Sequence, residues 1–291
     1  MNITTIKFLH ELNNRFYQEQ GASFAQTRGA PWHGWKRCLE ILDETAAFSN
    51  KKSLSVLDFA CGNMRFKTFM EQQLPDVTID YFGLDNSDEM ASKEIAASNY
   101  QSLDILNCLL AESDQLLHTR IQAPNCKLSV SFGFMHHIPG QQLRKKVLDL
   151  MIEKTLTDGH IIVSFWQFLK SPQLAAKAEQ THAQALSDIQ TKDRADMGAR
   201  SSADLDFTPK LLEYGTPASP SPLTNLYLEQ GDYFLGWQNV EGAYRYCHSF
   251  SETEIDELIT SVADKTQLIA RFEADGRTQN LNSYIVLKRK Y

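Results

Sequence analysis

Ser53-Leu-Ser-Val-Leu-Asp-Phe-Ala-Cys-Gly-Asn-Met-Arg65 decides how the chain is read. Leu54, Val56 and Leu57 lead into an acid, which predicts a buried strand over 53–58. A run of small residues follows, and 64–74 has a helical pattern. A strand, a tight loop and a helix N-terminus form a ligand cradle in open α/β sheets, where ligands sit beyond the carboxyl ends of the strands. Ala60, Cys61 and Gly62 let the loop backbone come close to a ligand, and Asp58 can accept a hydrogen bond from a cationic end. Tyr81-Phe-Gly-Leu-Asp85 ends a second predicted strand, 78–85, in another acid. An acid there can accept both hydroxyls of a ribose, with Asn86 beside it. Taken singly, Asp58 and Asp85 also fit turn or cap residues. Their pairing at successive strand ends favours a nucleotide-type ligand.

Outward from this unit, 88–98 is predicted helical, with Ser87 or Asp88 able to cap it. Residues 100–104 form a short third strand and 127–134 a fourth. A helix over 140–156 carries Leu143, Val147, Leu150 and Met151 on one face. Asp158-Gly159 is a turn before a fifth strand, 160–168. Alternating strands and helices imply right-handed crossovers and a parallel sheet. Some eighty irregular residues follow: Ser171-Pro172 opens a polar helix, and 216–222 is rich in proline and serine. Ser251 and Glu254 make a capping box for a helix over 251–263, and 268–273 with 282–288 form a closing hairpin. The expected organisation is an N-terminal helical flank at 1–50, a ligand-binding core at 51–168, an inserted lid at 169–250, and a closing helix and strand pair at 251–291.

Composition narrows the function. The 291 residues are 42% hydrophobic and 22% charged, with a formal net charge of −7. No broad basic face for nucleic acid follows from that balance, though local basic patches are allowed. Five cysteines with no C-x-x-C pair argue against a disulfide framework and a structural zinc. The polar start lacks the apolar block of a signal peptide. The longest apolar stretch, 161–169, is interrupted by Ser164 and Gln167 and is too short to span a bilayer. The expectation is a reduced, cytoplasmic protein with no metal.

These residues resemble a family. Val56-Leu-Asp-Phe-Ala-Cys-Gly-Asn-Met-Arg65 looks like motif I of the class I S-adenosylmethionine (SAM) dependent methyltransferases. Gly83-Leu-Asp-Asn-Ser87 looks like their ribose-binding acid motif, and Ser131-Phe-Gly-Phe-Met-His-His-Ile-Pro139 like the motif after the fourth strand. More narrowly, Phe24-Ala-Gln-Thr-Arg-Gly-Ala-Pro-Trp32 and Tyr244-Arg-Tyr-Cys-His-Ser-Phe-Ser251 resemble the tRNA wobble-uridine carboxymethyl methyltransferases and their bacterial relatives. The resemblance implies a Rossmann-like seven-stranded α/β sheet with N-terminal helices, SAM as cofactor, and tRNA as partner. Two departures stand out: Ala60 replaces the first glycine of the usual loop and Met64 the third. Ala60 is mild at negative φ, and Met64 must turn its side chain away from the donor. Cys126-Lys127 stands where an acid often opens the fourth strand.

A carboxylate acceptor is already anionic and needs a cation to orient it more than a base. Arg28 and Arg245, in the two flanking motifs, are the candidates. His136 is favoured over His137 for the acceptor site, as a hydrogen-bonding group or as a base for a neutral acceptor. Trp166 and His248 are candidate substrate contacts, each with a structural role as the alternative, and Asp104 is a candidate for the donor's adenine amine. Phe16, Tyr17, Trp32 and Trp35 read as helix packing ahead of base stacking. Lys36-Arg37, Arg144-Lys145-Lys146 and Lys288-Arg289-Lys290 could touch phosphates. The competing readings are a methyltransferase for a small acid, with the insertion as a lid, and a non-catalytic relative in which Met64 blocks the donor pocket. The need for an activator subunit is not written in the sequence.

Overall fold

A computed structural model describes residues 1–45, 52–87, 99–111, 118–203, 226–238 and 240–291, with backbone alone over 192–203. The helix expected at 88–98 and the Pro/Ser stretch at 216–222 lie outside the described residues. In chain order the helices are α1 (Ile3–Gln26), α2 (His33–Glu44), α3 (Arg65–Gln73), α4 (Ile105–Ala111), α5 (Gln141–Glu153), α6 (Pro172–Ala203) and α7 (Glu252–Thr260). The strands are β1 (Ser53–Phe59), β2 (Thr78–Asp85), β3 (Asn99–Ser102), β4 (Cys126–Ser131), β5 (Thr155–Trp166), β6 (Asp232–Trp237), β7 (Val240–His248), β8 (Thr266–Ala274) and β9 (Asn282–Arg289).

Seven strands form one sheet in the order β3-β2-β1-β4-β5-β9-β8. The first five are parallel and β9 is antiparallel to both its neighbours. Period-two alternation distributes the core. Leu57 and Phe59 of β1, Ile161, Val163 and Phe165 of β5, and Ile285 and Leu287 of β9 face one layer, shared with α4, α5 and α7. Leu54, Val56, Leu128, Val130, Ile162, Tyr284 and Val286 face the other, shared with α2 and α3. Each such side chain contributes roughly 1.5–3 kcal/mol by leaving water. Both faces are covered, which is why the strands read as near-continuous apolar runs.

β5 differs from its sequence reading. It begins at Thr155 and runs through Asp158 and Gly159. Asp158 has φ 59, and the β4–β5 register shifts between Cys126 and Leu128, so the expected turn is an irregularity inside a strand. Gly159 is required there: a Cβ would lie 2.6 Å from the Leu156 carbonyl. The closing hairpin is β8–β9, and Ser251 with Glu254 forms the expected capping box on α7.

The insertion is more regular than its composition suggests. α6 is 32 residues long, and β6 pairs with β7 as a separate antiparallel ribbon. Side chains close both ribbon edges. Thr181 Oγ1 donates to the Phe234 carbonyl at 3.2 Å, and His182 Nδ1 accepts from the Phe234 N–H at 3.1 Å. On β7, Asn13 of α1 accepts from the Tyr246 N–H at 2.7 Å and donates to the Tyr246 carbonyl at 3.2 Å. An open two-stranded ribbon would expose unpaired backbone groups. Among the described residues, no helix is long and apolar enough to cross a membrane.

Candidate active site

β1 and β2 end side by side, and the loop between β1 and α3 is pinned to β2. The Cys61 N–H donates to the Leu84 carbonyl at 2.9 Å. The Gly62 N–H donates to Asp85 Oδ2 at 2.7 Å, and the Ser87 N–H to Asp85 Oδ1 at 2.9 Å. Ala60, Gly62 and Met64 have φ of 63, 53 and 56. The loop therefore takes left-handed backbone at three positions, and two of them are not glycine. The condition under which Ala60 would be mild, a negative φ, is not met. Left-handed backbone costs a residue with a Cβ roughly 1–2 kcal/mol. Met64 turns inward: it is 1% exposed, and its Cε lies 2.8 Å from where a Gly83 Cβ would be. The missing side chain of Gly83 makes room for Met64 beneath the loop, so Met64 does not block the ligand side.

Asp58 is buried. Tyr81 donates a short hydrogen bond to its Oδ2, and Oδ1 has no partner among the described residues. Burial raises its pKa to about 7; the Tyr81 hydrogen bond opposes this and the Asp85 charge adds to it.

Above the loop lies a cavity of about 550 Å³. Asp58, Ala60, Cys61, Gly62, Asp85, Asn86 and Asp104 line it, and so do Arg28, His136, Trp166 and Arg245. Arg28 leaves the C-terminal end of α1 and its guanidinium lies over the Phe24 ring at 4.6 Å. Arg245 comes from β7. Its guanidinium lies 5.1 Å from the Phe16 ring, 5.5 Å from Phe24 and 5.6 Å from Trp237. Both cations thus sit on Phe24. Neither meets a carboxylate among the described residues; Arg245 donates a long bond, 3.4 Å, to the Gly236 carbonyl and is hydrogen-bonded to the Cys247 side chain. Burial and then Arg245 lower the Arg28 pKa, the signature of cations held together without a counter-ion.

His136 and His137 follow β4 on a single turn of 3₁₀ helix. His137 is structural: its Nε2 faces the Tyr17 hydroxyl at 2.8 Å and its Nδ1 the Tyr246 carbonyl at 2.9 Å. Burial drives its pKa down to about 3. His136 Nδ1 is buried with no partner among the described residues, and its ring packs 5.1 Å from Trp166. Burial, then His137, Arg245 and Arg28, hold its pKa well below the ordinary histidine value. It is a neutral imidazole and a weak base. Cys247 stands near both histidines, with ligand-type atoms within 4.8 Å of one another. Both nitrogens of His137 are already hydrogen-bonded, so the trio offers a cation no complete set.

Two candidates are engaged by other partners. His248 is absent from the cavity lining and fully buried, with Nδ1 2.7 Å from Asp232 and Nε2 2.9 Å from Glu254. It joins a network with Arg144 and Tyr246 that locks the β6–β7 ribbon to α5 and α7. Asp104 does line the cavity, but its carboxylate is engaged: Oδ1 accepts from the Asn107 N–H at 2.9 Å, capping α4, and Oδ2 meets His10 at 2.9 Å and Asn14 at 3.2 Å. The adenine amine would have to compete with three partners.

Sequence reasoning missed the α1 side of the cavity. His10, Asn13, Asn14 and Tyr17 line it. Their spacing of i, i+3, i+4 and i+7 is one helical face, and polar residues on the face that also buries Leu9 and Phe16 were the available signal. Arg65 and Asp275 also line it. Asp275 accepts from the Gly34 N–H at 3.1 Å, Asn282 at 2.8 Å and Tyr284 at 2.5 Å, fixing the start of α2 to the closing hairpin.

No family model and no curated protein sequence matches the chain. Solved structures do. A SAM-dependent methyltransferase from Methanosarcina mazei matches with a TM-score of 0.50 at 11% identity, over 82% of this chain and 93% of that one. One from Clostridium acetobutylicum gives 0.48 at 10%, over 91% and 94%. An amino pentose methyltransferase from Micromonospora echinaspora, with SAM bound, gives 0.47 at 12%, over 92% and 95%. Likeness at this identity establishes the fold: a Rossmann-like class I methyltransferase sheet.

Proposed function

We propose that the chain is a SAM-dependent methyltransferase whose acceptor is the carboxylate of a small acid. The observation that carries this reading is the pair Arg28 and Arg245: two guanidiniums from opposite ends of the chain, without carboxylate partners among the described residues, on the wall of the cavity that the Asp58–Asp85 loop lines. The residues fit the donor. The orphaned Oδ1 of Asp58 suits an ammonium, Asp85 stands where ribose hydroxyls are held, and the loop offers backbone with small side chains. SAM supplies the methyl carbon and its own leaving group: a carboxylate oxygen bonds to that carbon as the C–S bond breaks, giving a methyl ester and S-adenosylhomocysteine with no proton moved. Arg28 and Arg245 orient the carboxylate and offset its charge until the bond forms. His136, held neutral, adds at most a hydrogen bond, which matches an acceptor that is ionised before it binds.

A carboxymethyl group on a tRNA wobble uridine would present the same anion. The surface favours the small acid. Arg37 is paired with Glu40 and Glu44, Arg144 is buried, Lys145 is on Asp149 and Lys288 on Asp158. Arg289 and Lys290 donate to backbone carbonyls. Most residues of the basic clusters thus meet acids or carbonyls of this chain or are buried, which leaves fewer cations to track a phosphate backbone.

The test uses methyl-labelled SAM with a panel of small carboxylic acids and, separately, a bulk tRNA pool, followed by mass spectrometry of methyl esters. Ester formation on an acid, reduced in both Arg28→Ala and Arg245→Ala by an amount on the order of 2–4 kcal/mol in transition-state stabilisation, supports the reading. Full activity in both variants removes the clamp. Label appearing in tRNA alone moves the acceptor to the wobble uridine.

A further inference from the structure

Three guanidiniums line the cavity, one more than an acceptor clamp needs. The third, Arg65, is the first residue of α3. Its guanidinium is held 5.5 Å from the Trp32 ring and 5.1 Å from Trp35, themselves stacked at 5.6 Å. Nη1 donates to the Ala30 carbonyl at 2.8 Å. No carboxylate lies within ion-pair distance among the described residues, and the remaining N–H groups have no partner there. The helix it opens has no acid in its first turn and no side-chain cap, so the free backbone N–H groups at that end add positive potential. Asp58, lining the same cavity, presents the opposite requirement: a buried carboxylate oxygen with no donor. A buried carboxylate oxygen with no donor and a half-buried cation with no carboxylate, lining the same cavity, are what the ammonium and carboxylate of an α-amino acid satisfy together.

Building on the donor reading above, we propose that Arg65 binds the α-carboxylate of the donor's methionine end while Asp58 Oδ1 takes its ammonium. This division leaves Arg28 and Arg245 for the acceptor's anion. The electrostatics agree. Burial and Arg28 pull the Arg65 pKa down to about 10, so an anion bound there relieves both penalties.

Calorimetry with three ligands tests the assignment on the wild type, Arg65→Gln, Arg65→Lys and Arg28→Gln. S-adenosylhomocysteine carries ammonium and carboxylate, decarboxylated SAM keeps only the ammonium, and 5′-methylthioadenosine has neither. The expected result is that Arg65→Gln weakens S-adenosylhomocysteine by roughly tenfold to a hundredfold and leaves the other two within about twofold. Arg65→Lys should recover part of the loss, and Arg28→Gln, whose charge reaches this site only through space, should weaken S-adenosylhomocysteine far less than Arg65→Gln does. Equal weakening of all three ligands by Arg65→Gln would mean that Arg65 only props up Trp32 and Trp35, and would overturn the assignment. So would no weakening at all, or a carboxylate-selective loss in Arg28→Gln as large as in Arg65→Gln. If the wild type binds none of the three, the donor reading itself falls, and this assignment with it.

Discussion

Asp58 makes donor binding depend on pH in a way few other groups in this cavity can. Its carboxyl is 3% exposed, its pKa is raised to about 7, and among the described residues only one of its oxygens is hydrogen-bonded. An ammonium-bearing donor needs the ionised form. With a pKa of about 7, roughly one-eleventh of the sites are ionised at pH 6 and ten-elevenths at pH 8, and apparent affinity scales with that fraction. S-adenosylhomocysteine should therefore bind about tenfold more tightly at pH 8 than at pH 6, about 1.4 kcal/mol. Below pH 7 binding should release a proton, visible as a dependence of the calorimetric enthalpy on the buffer's ionisation heat. Tyr81→Phe removes the hydrogen bond that favours ionisation, so the midpoint should move to higher pH. Asp58→Asn should bind weakly and without pH dependence. For the ligand-free protein the sign is fixed by linkage. A folded-state pKa above the unfolded value means extra stability below about pH 4 that is lost as the pH rises through about 7. The wild type should lose up to about 4 kcal/mol across that window relative to Asp58→Asn. Equal donor affinity at pH 6 and pH 8 with no proton release would refute the assignment of the ammonium to Asp58.

The remaining outcomes rest on separate features. Ala60→Gly removes the Cβ from a left-handed position and should raise stability by about 0.5–1 kcal/mol in thermal unfolding, with donor affinity retained. Gly83→Ala puts a methyl 2.8 Å from Cys61 Sγ and Met64 Cε; it should lift the donor loop, lowering stability by roughly 1–3 kcal/mol and weakening S-adenosylhomocysteine in calorimetry. His248→Ala strips two hydrogen bonds from the buried Asp232 network and should cost about 2–4 kcal/mol of stability, while the folded protein binds the donor unchanged. His136→Ala should lower kcat/KM without altering the shape of its pH profile between pH 6 and 9, because His136 does not titrate there.

How much of this was legible in the sequence follows from where each signal is local. Asp58 and Asp85 could be read because a buried parallel strand is an apolar run and its end is marked by the first acid; the ligand site of an open α/β sheet is tied to those ends. The capping box at Ser251 and the β8–β9 hairpin could be read for the same reason. The φ of Ala60 could not, because a loop's handedness is set by the hydrogen bonds that tie Cys61 and Gly62 to β2, twenty-odd residues away. His248, a candidate from the flanking motif with a structural role as the alternative, is held in the structural network. Along β7 successive side chains point to opposite faces, but Arg245 and His248 differ by three, an odd step. Parity alone sends one toward Phe16 and Phe24 and the other toward Asp232.

The same parity bears on the pairing of Arg28 with Arg245. Arg28 sits just beyond α1, and Phe16 and Phe24 lie eight apart on that helix, a little over two turns, so both rings reach the guanidinium of Arg245. The register is held one turn away: Asn13 binds both backbone groups of Tyr246, the residue after Arg245. A helix at the start of the chain and a strand near its end are thus locked together by one amide side chain. That lock sets the spacing of the two guanidiniums before any acceptor arrives, and such preorganisation lowers the cost of binding an anion. On the proposed reading, the clamp is a property of the α1–β7 contact more than of either arginine.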